Sequence, residues 1–328
     1  MTPRERFQCL MRYEPVDALP VVAVENYHEA AAIARWRTEG LPVDQYPTRF
    51  LGMGEFVYLP LGLGPLPAFK DTVLSEDAES YVQIDWMGAT VRRMKEAPGM
   101  YYGYIDHPVK TMADWERYAE RFRADTPERL PADLAATVAE LNASPNPVGL
   151  QFFPWFFRLG FYALGMERFL TAPYEEPELI HAMFSTLGAI AMTTVQAYLD
   201  AGVRIDFAAF VEDLAYKNGP HCSPKIYEEF WLPYQDPVVE LLRSHGVPLI
   251  CQWTAGNIDV MFPMLFAHGF NCFFPVERGA NMDPIELRAK YGRALRMAGG
   301  IPKEAFIEGP AAIDREIARL LPLIREGG

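Results

Sequence analysis

IDFAAFVEDLAYKNGPHCSPKIYEEFWLPYQDPVVELLRSHGVPLICQWTAGN (205–257) is the stretch whose pattern decides the fold. An apolar run at 205–211 stops at two acidic residues. Ser223-Pro224 then offers a side-chain cap followed by a residue whose fixed φ suits the first helical turn. A helical pattern continues to about residue 244, and a second apolar run fills 247–253. Two buried-type strands separated by one long helix pair as parallel neighbours joined by a crossover.

The same rhythm extends in both directions. A strand is expected at 148–153, then a helix ending near 170 and another over 178–201. Downstream come a helix at 258–267 closed by Gly269 and a strand at 270–276. A short helix then begins at Asp283-Pro284 and closes at Gly292, followed by a strand at 294–298 and a helix at 311–325. Upstream, Thr2, Pro3 and Glu5 form a capping box opening a helix over 2–13, and LPVVAV (19–24) reads as a buried strand. TVLSEDAESYVQIDWMGATVRRMKE (72–96), in a region of roughly 70–95, reads as an antiparallel hairpin or meander turning near Met87-Gly88, an excursion from the main fold.

The repeated strand–helix alternation predicts one α/β domain over 1–328, a (β/α)8 TIM-like barrel. Residues 1–145 supply the first strands plus the hairpin insertion, and 146–328 the regular βα units. Seven strands are countable, and an eighth would begin where the sequence ends. No glycine-rich dinucleotide fingerprint follows any strand.

Composition narrows the function. In 328 residues, 30 Lys and Arg stand against 43 Asp and Glu, a net charge of −13, so no basic stripe exists to track phosphates or anionic lipid. Half the residues are apolar, enough for a sizeable core. Cysteines 9, 222, 251 and 272 show no CxxC spacing, and the opening MTPRERFQCLMRYEP lacks an apolar signal region. A soluble cytoplasmic protein is expected, without nucleic-acid or membrane partners. The uncharged stretch 182–199 carries threonines, Ser185, Gly188 and Gln196, and reads as a buried helix.

In such a barrel, chemistry sits at the C-terminal ends of the strands. The residues predicted there are Glu25; Gln151, Trp155, Arg158 and Tyr162; Glu212, Asp213, Tyr216, Lys217 and Asn218; Trp253, Thr254 and Asn257; Glu277 and Arg278; and Lys303. Carboxylates immediately after apolar strands are candidates for acid–base work or metal ligation, so Glu212, Asp213 and Glu277, with Tyr162, form the predicted catalytic group. Glu212 and Glu277 are the candidate metal ligands. Glu25, Gln151, Arg158, Tyr216, Asn218, Trp253, Asn257 and Lys303 are the predicted substrate contacts. His107 beside Asp106 fits a structural role better than a catalytic one. Strand alternation, counted back from an inward Glu277, turns Cys272 away from Cys251 in the absence of a bulge, so the two thiols are not expected to share a metal.

RERFQCLMRYEPVDALP (4–20), HPVKTMADWERY (107–118), EDLAYKNGPHCSPKIYEEFWLPY (212–234), AGN (255–257), PVERGANMD (275–283) and KYGRALRMAGGI (290–301) resemble the uroporphyrinogen decarboxylase superfamily. The resemblance is narrower to its branch of methyltransferases that work with corrinoid proteins. It implies the same distorted (β/α)8 barrel. It also implies methyl transfer between a small methylated substrate and a corrinoid carrier protein, with a homodimer as the expected assembly.

Several positions depart from the superfamily's patterns. Where decarboxylating members carry an arginine-rich segment, VENYHE (24–29) is acidic, and EFVYLPLGLGP (55–65) lacks the pyrrole-holding aspartate. Tyr162 takes the place of a tyrosine after strand three, Asp213 replaces a serine, and a late histidine segment is missing. The His-x-Cys-Gly zinc element of the methyltransferases reads Trp253-Thr254-Ala255-Gly256, so resident zinc is not supported. Decarboxylation, of uroporphyrinogen or a smaller acid, and a binding protein that has lost its chemistry are the alternative readings.

Overall fold

The protein, a computed structural model, is described here over residues 1–23, 30–95 and 97–328. Seven parallel strands run in chain order: β1 (Val22–Ala23), β2 (the short runs Gly54–Glu55 and Val57–Tyr58), β3 (Val148–Phe152), β4 (Phe207–Val211), β5 (Leu249–Trp253), β6 (Cys272–Val276) and β7 (Arg296–Gly299); β1 and Gly54–Glu55 form a two-stranded ladder, and Val57–Tyr58 through β7 a six-stranded sheet. Each is parallel to its neighbour, and the spatial order follows the chain order. The helices between them are the crossovers that parallel pairing requires.

In keeping with the seven strands countable in the sequence and a last strand read as missing, no eighth parallel strand is found among the described residues, and no ladder there joins β7 to β1. The flank of β7 is instead covered by the end of the first helix, Pro3–Met11, and by Gly328. Arg296 Nε donates to the Met11 carbonyl at 3.2 Å, Met297 N–H to Gly328 at 3.2 Å, and Gly328 N–H to Leu10 at 2.9 Å. The Met297 bond occupies a ladder group that an edge strand leaves open. The helix is set by the predicted capping box, in which Thr2 and Glu5 bond each other's backbone N–H.

Alternation along the strands divides the core into two layers. Phe207, Ala209 and Val211 of β4, and Leu249, Cys251 and Trp253 of β5, face inward, where they meet Phe7, Met11, Phe56, Tyr58, Cys272 and Phe274. Leu150, Phe152, Ala208, Phe210 and Ile250 face outward against the helices. Phe56 and Phe207, from strands two places apart, bring their ring centroids to 4.7 Å, so the sheet is curled around its inner layer.

Gly149 makes room for this layer, because a Cβ built there falls 2.2 Å from the Phe207 ring. Gly149→Ala is therefore expected to destabilise the fold by about 1–3 kcal/mol through overpacking. The check is a urea midpoint that drops while the slope stays constant; an unchanged midpoint would show that the ring yields freely.

Pro177–Asp200 is the helix, among the described residues, that is long and apolar enough to cross a membrane. Leu179, Ile180, Met183, Phe184, Leu187, Ile190, Ala191 and Val195 are buried in the outer core, which is the buried-helix arrangement expected from its threonines and glycine. The helix expected over 224–244 divides at Trp231 into Pro224–Phe230 and Leu232–Ser244, where Pro233 sits in the first turn of the second piece and supplies no N–H. Of the two expected forms, the excursion takes the meander. Thr72–Glu76, Ser80–Ile84, Thr90–Met94 and Ala97–Asp106 form a four-stranded antiparallel meander. Its predicted turn is held by Asp85, whose carboxylate accepts the N–H groups of Met87 and Ala89.

Candidate active site

The adjacent carboxylates after β4 point to opposite faces. Glu212 continues the outward alternation and is fully buried between sheet and helices. Its Oε2 accepts the Phe157 N–H at 2.7 Å, and its Oε1 accepts Trp231 Nε1–H at 3.0 Å. Phe157 lies in the first turn of the helix Phe156–Leu164, so Glu212 satisfies an N–H that the helix itself leaves unpaired. Burial drives its pKa up to about 8, with the two hydrogen bonds pulling the other way. The expectation that Glu212 acts at the mouth, as acid or metal ligand, is corrected: one residue of strand alternation sends it behind the sheet.

Asp213 takes the inner face. Its Oδ2 meets Arg158 Nη2 at 2.6 Å, and the carboxylate keeps 40% of its side-chain surface exposed. Desolvation raises its pKa, while Arg158 and His221 pull it down. His221 is folded back by an N–H bond to the Leu214 carbonyl, and its ring stacks on Tyr216 at 5.4 Å and Phe157 at 5.6 Å. Desolvation lowers its pKa, with Asp213 pulling the other way. Arg158 also sits 5.9 Å from the centre of the Phe153 ring. The result is an acid, a fixed cation and aromatic walls at the C-terminal end of β3 and β4.

Beside it, a cavity of about 530 Å³ opens among the loops that follow β4 to β7. Tyr216, Gly256, Glu277, Gly299 and Lys303 are on its wall. Glu277 accepts Lys303 Nζ at 2.7 Å and the Gly256 N–H at 3.1 Å, and Lys303 leads in holding its pKa below the usual carboxylate range. Gly256 has φ +83°, and a Cβ there would lie 2.6 Å from the Ala215 carbonyl. Glycine alone lets the loop after β5 press against the loop after β4 and aim its N–H at Glu277. A larger cleft, about 610 Å³, lies at the opposite end near the starts of β4, β5 and β7, the end that this architecture uses for stability.

The other predicted contacts scatter. Tyr162 is buried in the outer core against Trp86 at 6.2 Å, Tyr104 at 6.0 Å and Phe161 at 5.6 Å, away from the wall of the 530 Å³ cavity. Helical spacing carried it there rather than to the mouth. Gln151 occupies the inner-facing register opposite Ala209. Trp253 packs edge-on to Phe274 at 4.8 Å and belongs to the inner layer, a floor rather than an exposed contact. Asn257 is a splint, donating to Ala280 O at 2.9 Å and accepting Asp259 N–H at 3.1 Å. Asn218 is exposed in the turn of the small hairpin Ala215–Tyr216/Gly219–Pro220. Glu25 lies outside the described residues.

His107 has the expected structural role, with Nδ1 3.0 Å from Tyr162 O and its ring stacked on Tyr104 at 5.4 Å. His221, Phe153 and the Gly256 N–H were not anticipated. Their positions depend on how loops return to the sheet, for which sequence periodicity carries no signal.

The thiol parity is also corrected. Cys251 and Cys272 are register partners and both face the inner layer. The register shifts between Phe273 and Val276, so a count running back from Glu277 is one residue out. Resident zinc does not fit the mouth. The Thr254 hydroxyl accepts Leu214 N–H at 2.9 Å, Ala255 offers no side-chain donor, and Trp253 is packed. Among the described residues no group of three or more His, Cys, Asp and Glu could hold a metal ion.

The family profile for uroporphyrinogen decarboxylase (URO-D) matches residues 80–327. A uroporphyrinogen decarboxylase of Anaeromyxobacter dehalogenans is 25% identical over 259 residues, 75% of this chain and 69% of the relative. One from Pseudomonas paraeruginosa is 22% identical over 345 aligned positions, covering 98% and 88%. Among solved structures, a methyltransferase from Methanosarcina mazei has the same fold, with a TM-score of 0.59 at 14% identity, covering 97% of this chain and 90% of that one. On a profile that spans three quarters of its length, the chain belongs to the uroporphyrinogen decarboxylase family of enzymes.

Proposed function

We propose that this protein transfers a methyl group from a small O- or N-methylated substrate to a reduced corrinoid held by a partner protein. The observation that carries the reading is Asp213, inward at the strand ends, with burial raising its pKa and Arg158 at 2.6 Å. Nucleophilic attack by the cobalt of the corrinoid co-substrate on the methyl carbon breaks the carbon–oxygen or carbon–nitrogen bond. The bonding pair leaves with the heteroatom. A carboxylic acid beside that atom supplies the proton it needs, the role for which a raised pKa is suited. Arg158 fixes the acid's orientation, and His221, Tyr216 and Phe153 offer apolar ring surface. Glu277 and Lys303, locked together across the neighbouring cavity, would orient the substrate's polar end. The methyltransferase fold neighbour supports the reading.

The test supplies cob(I)alamin and a panel of methoxylated and methylamine compounds. Methylcobalamin should form with at least one of them, and formation should depend on Asp213. No turnover across the panel by folded protein counts against the proposal.

The family profile and the curated relatives favour a second reading, decarboxylation of a small acid, in which Asp213 protonates the carbanion left by carbon dioxide. It predicts carbon dioxide release without any corrinoid. The acidic composition disfavours octa-anionic uroporphyrinogen itself as the substrate.

A further inference from the structure

We infer that the inner layer of the sheet contains a binding site for a soft monovalent d10 cation of the cuprous type, held between Cys251 and Cys272. The two residues are direct partners across the parallel β5–β6 ladder, and their thiols are in hydrogen-bond contact. Both line a 60 Å³ cavity whose wall also includes the Met11 thioether. Thiolate and thioether are the donors that select cuprous ions.

Both cysteines are free thiols. Zinc is a poor occupant, because it requires four ligands and the layer offers two thiols and a thioether among aromatic rings.

One monovalent cation and two thiols give a bis-thiolate complex with one negative charge and two released protons. Arg296 is the next residue in the same register row, partner of Cys272 on β7. Its Nε donates to Met11 O, its guanidinium carbon lies 5.3 Å from the Tyr13 ring centre, and it brings a positive charge to that end of the row. Phe7, Met11 and Leu249 line both this cavity and the larger cleft at the strand starts.

The experiment is an anaerobic competition between full-length protein and a chromogenic cuprous chelator, with fold checked by circular dichroism. Wild type and the Cys9→Ala/Cys222→Ala double variant should each retain one equivalent. Cys251→Ala and Cys272→Ala, which leave single-thiol ligation, should each bind about 10²–10⁴-fold more weakly. X-ray absorption of the loaded double variant should show two sulfur neighbours at thiolate distance. Equal retention by Cys251→Ala and wild type, or loss of binding in the double variant, overturns the site. Should Cys251→Ala misfold, Cys251→Ser serves as the single-thiol variant. None of these readings depends on the methyl-transfer proposal, which turnover alone tests.

Discussion

Asp213→Asn is expected to lower kcat for the proposed demethylation by about 10²–10⁴-fold, the usual contribution of a positioned general acid. Asparagine keeps the size and still reaches Arg158, but it has no acidic proton for the departing oxygen or nitrogen. Stability should change by less than about 1 kcal/mol, because the Asp213–Arg158 pair is partly exposed and such pairs contribute little. The pH profile carries the second signature. Desolvation raises the Asp213 pKa, and an acid works only while protonated. Wild-type kcat should therefore fall as pH rises through that raised value, and the variant should lack this limb. A variant within threefold of wild type at every pH would remove Asp213 from the chemistry and leave the fold untouched.

Glu212 should reveal itself through stability. Its pKa is near 8 in the folded protein against an ordinary 4.5. At pH 6–7 the folded state therefore holds a proton that the unfolded state has released. Stability from this group is complete below about pH 4.5, is lost progressively as pH rises toward 8, and is level beyond it. At about 1.4 kcal/mol per pKa unit, the whole loss amounts to a few kcal/mol.

Glu212→Gln cannot ionise, so its urea midpoint should not show this fall between pH 5 and 8, whereas wild type should. Glu212→Ala adds a different cost. It leaves the Phe157 N–H and Trp231 Nε1–H buried without acceptors, at about 1–3 kcal/mol each. Parallel pH slopes for wild type and Glu212→Gln would show that the buried carboxyl does not titrate as described. Because Phe157 precedes Arg158, loosening Glu212 should also blunt the Asp213–Arg158 pairing, and a milder fall in turnover should accompany the instability.

Much of the site's neighbourhood was legible in the chain. Carboxylates after apolar runs marked the ends of β4 and β6, and Asp213, Arg158, Tyr216, Glu277 and Lys303 do lie at the strand ends. Which of them meet was not legible. Glu212 and Asp213 are neighbours in sequence, yet they lie on opposite faces of the sheet. His221, eight residues past Asp213, approaches it only because the hairpin turns back. Tyr162 occupies a plausible place in the sequence, but its ring packs into the core beside the meander.

By itself the sequence determined the parallel architecture, the helix caps at Thr2, Ser223 and Asp283, and the turn near Met87-Gly88. These depend on local periodicity and on backbone preferences that act over a few residues. Tertiary structure alone decided three things: the face on which each carboxylate lies, the shift that sets Cys272 against Cys251, and the cover that the first helix and Gly328 lay along β7. A strand repeats every two residues, so one irregular residue exchanges inside for outside along everything counted past it. Contacts between ends of the chain almost three hundred residues apart leave no trace in any short window of sequence.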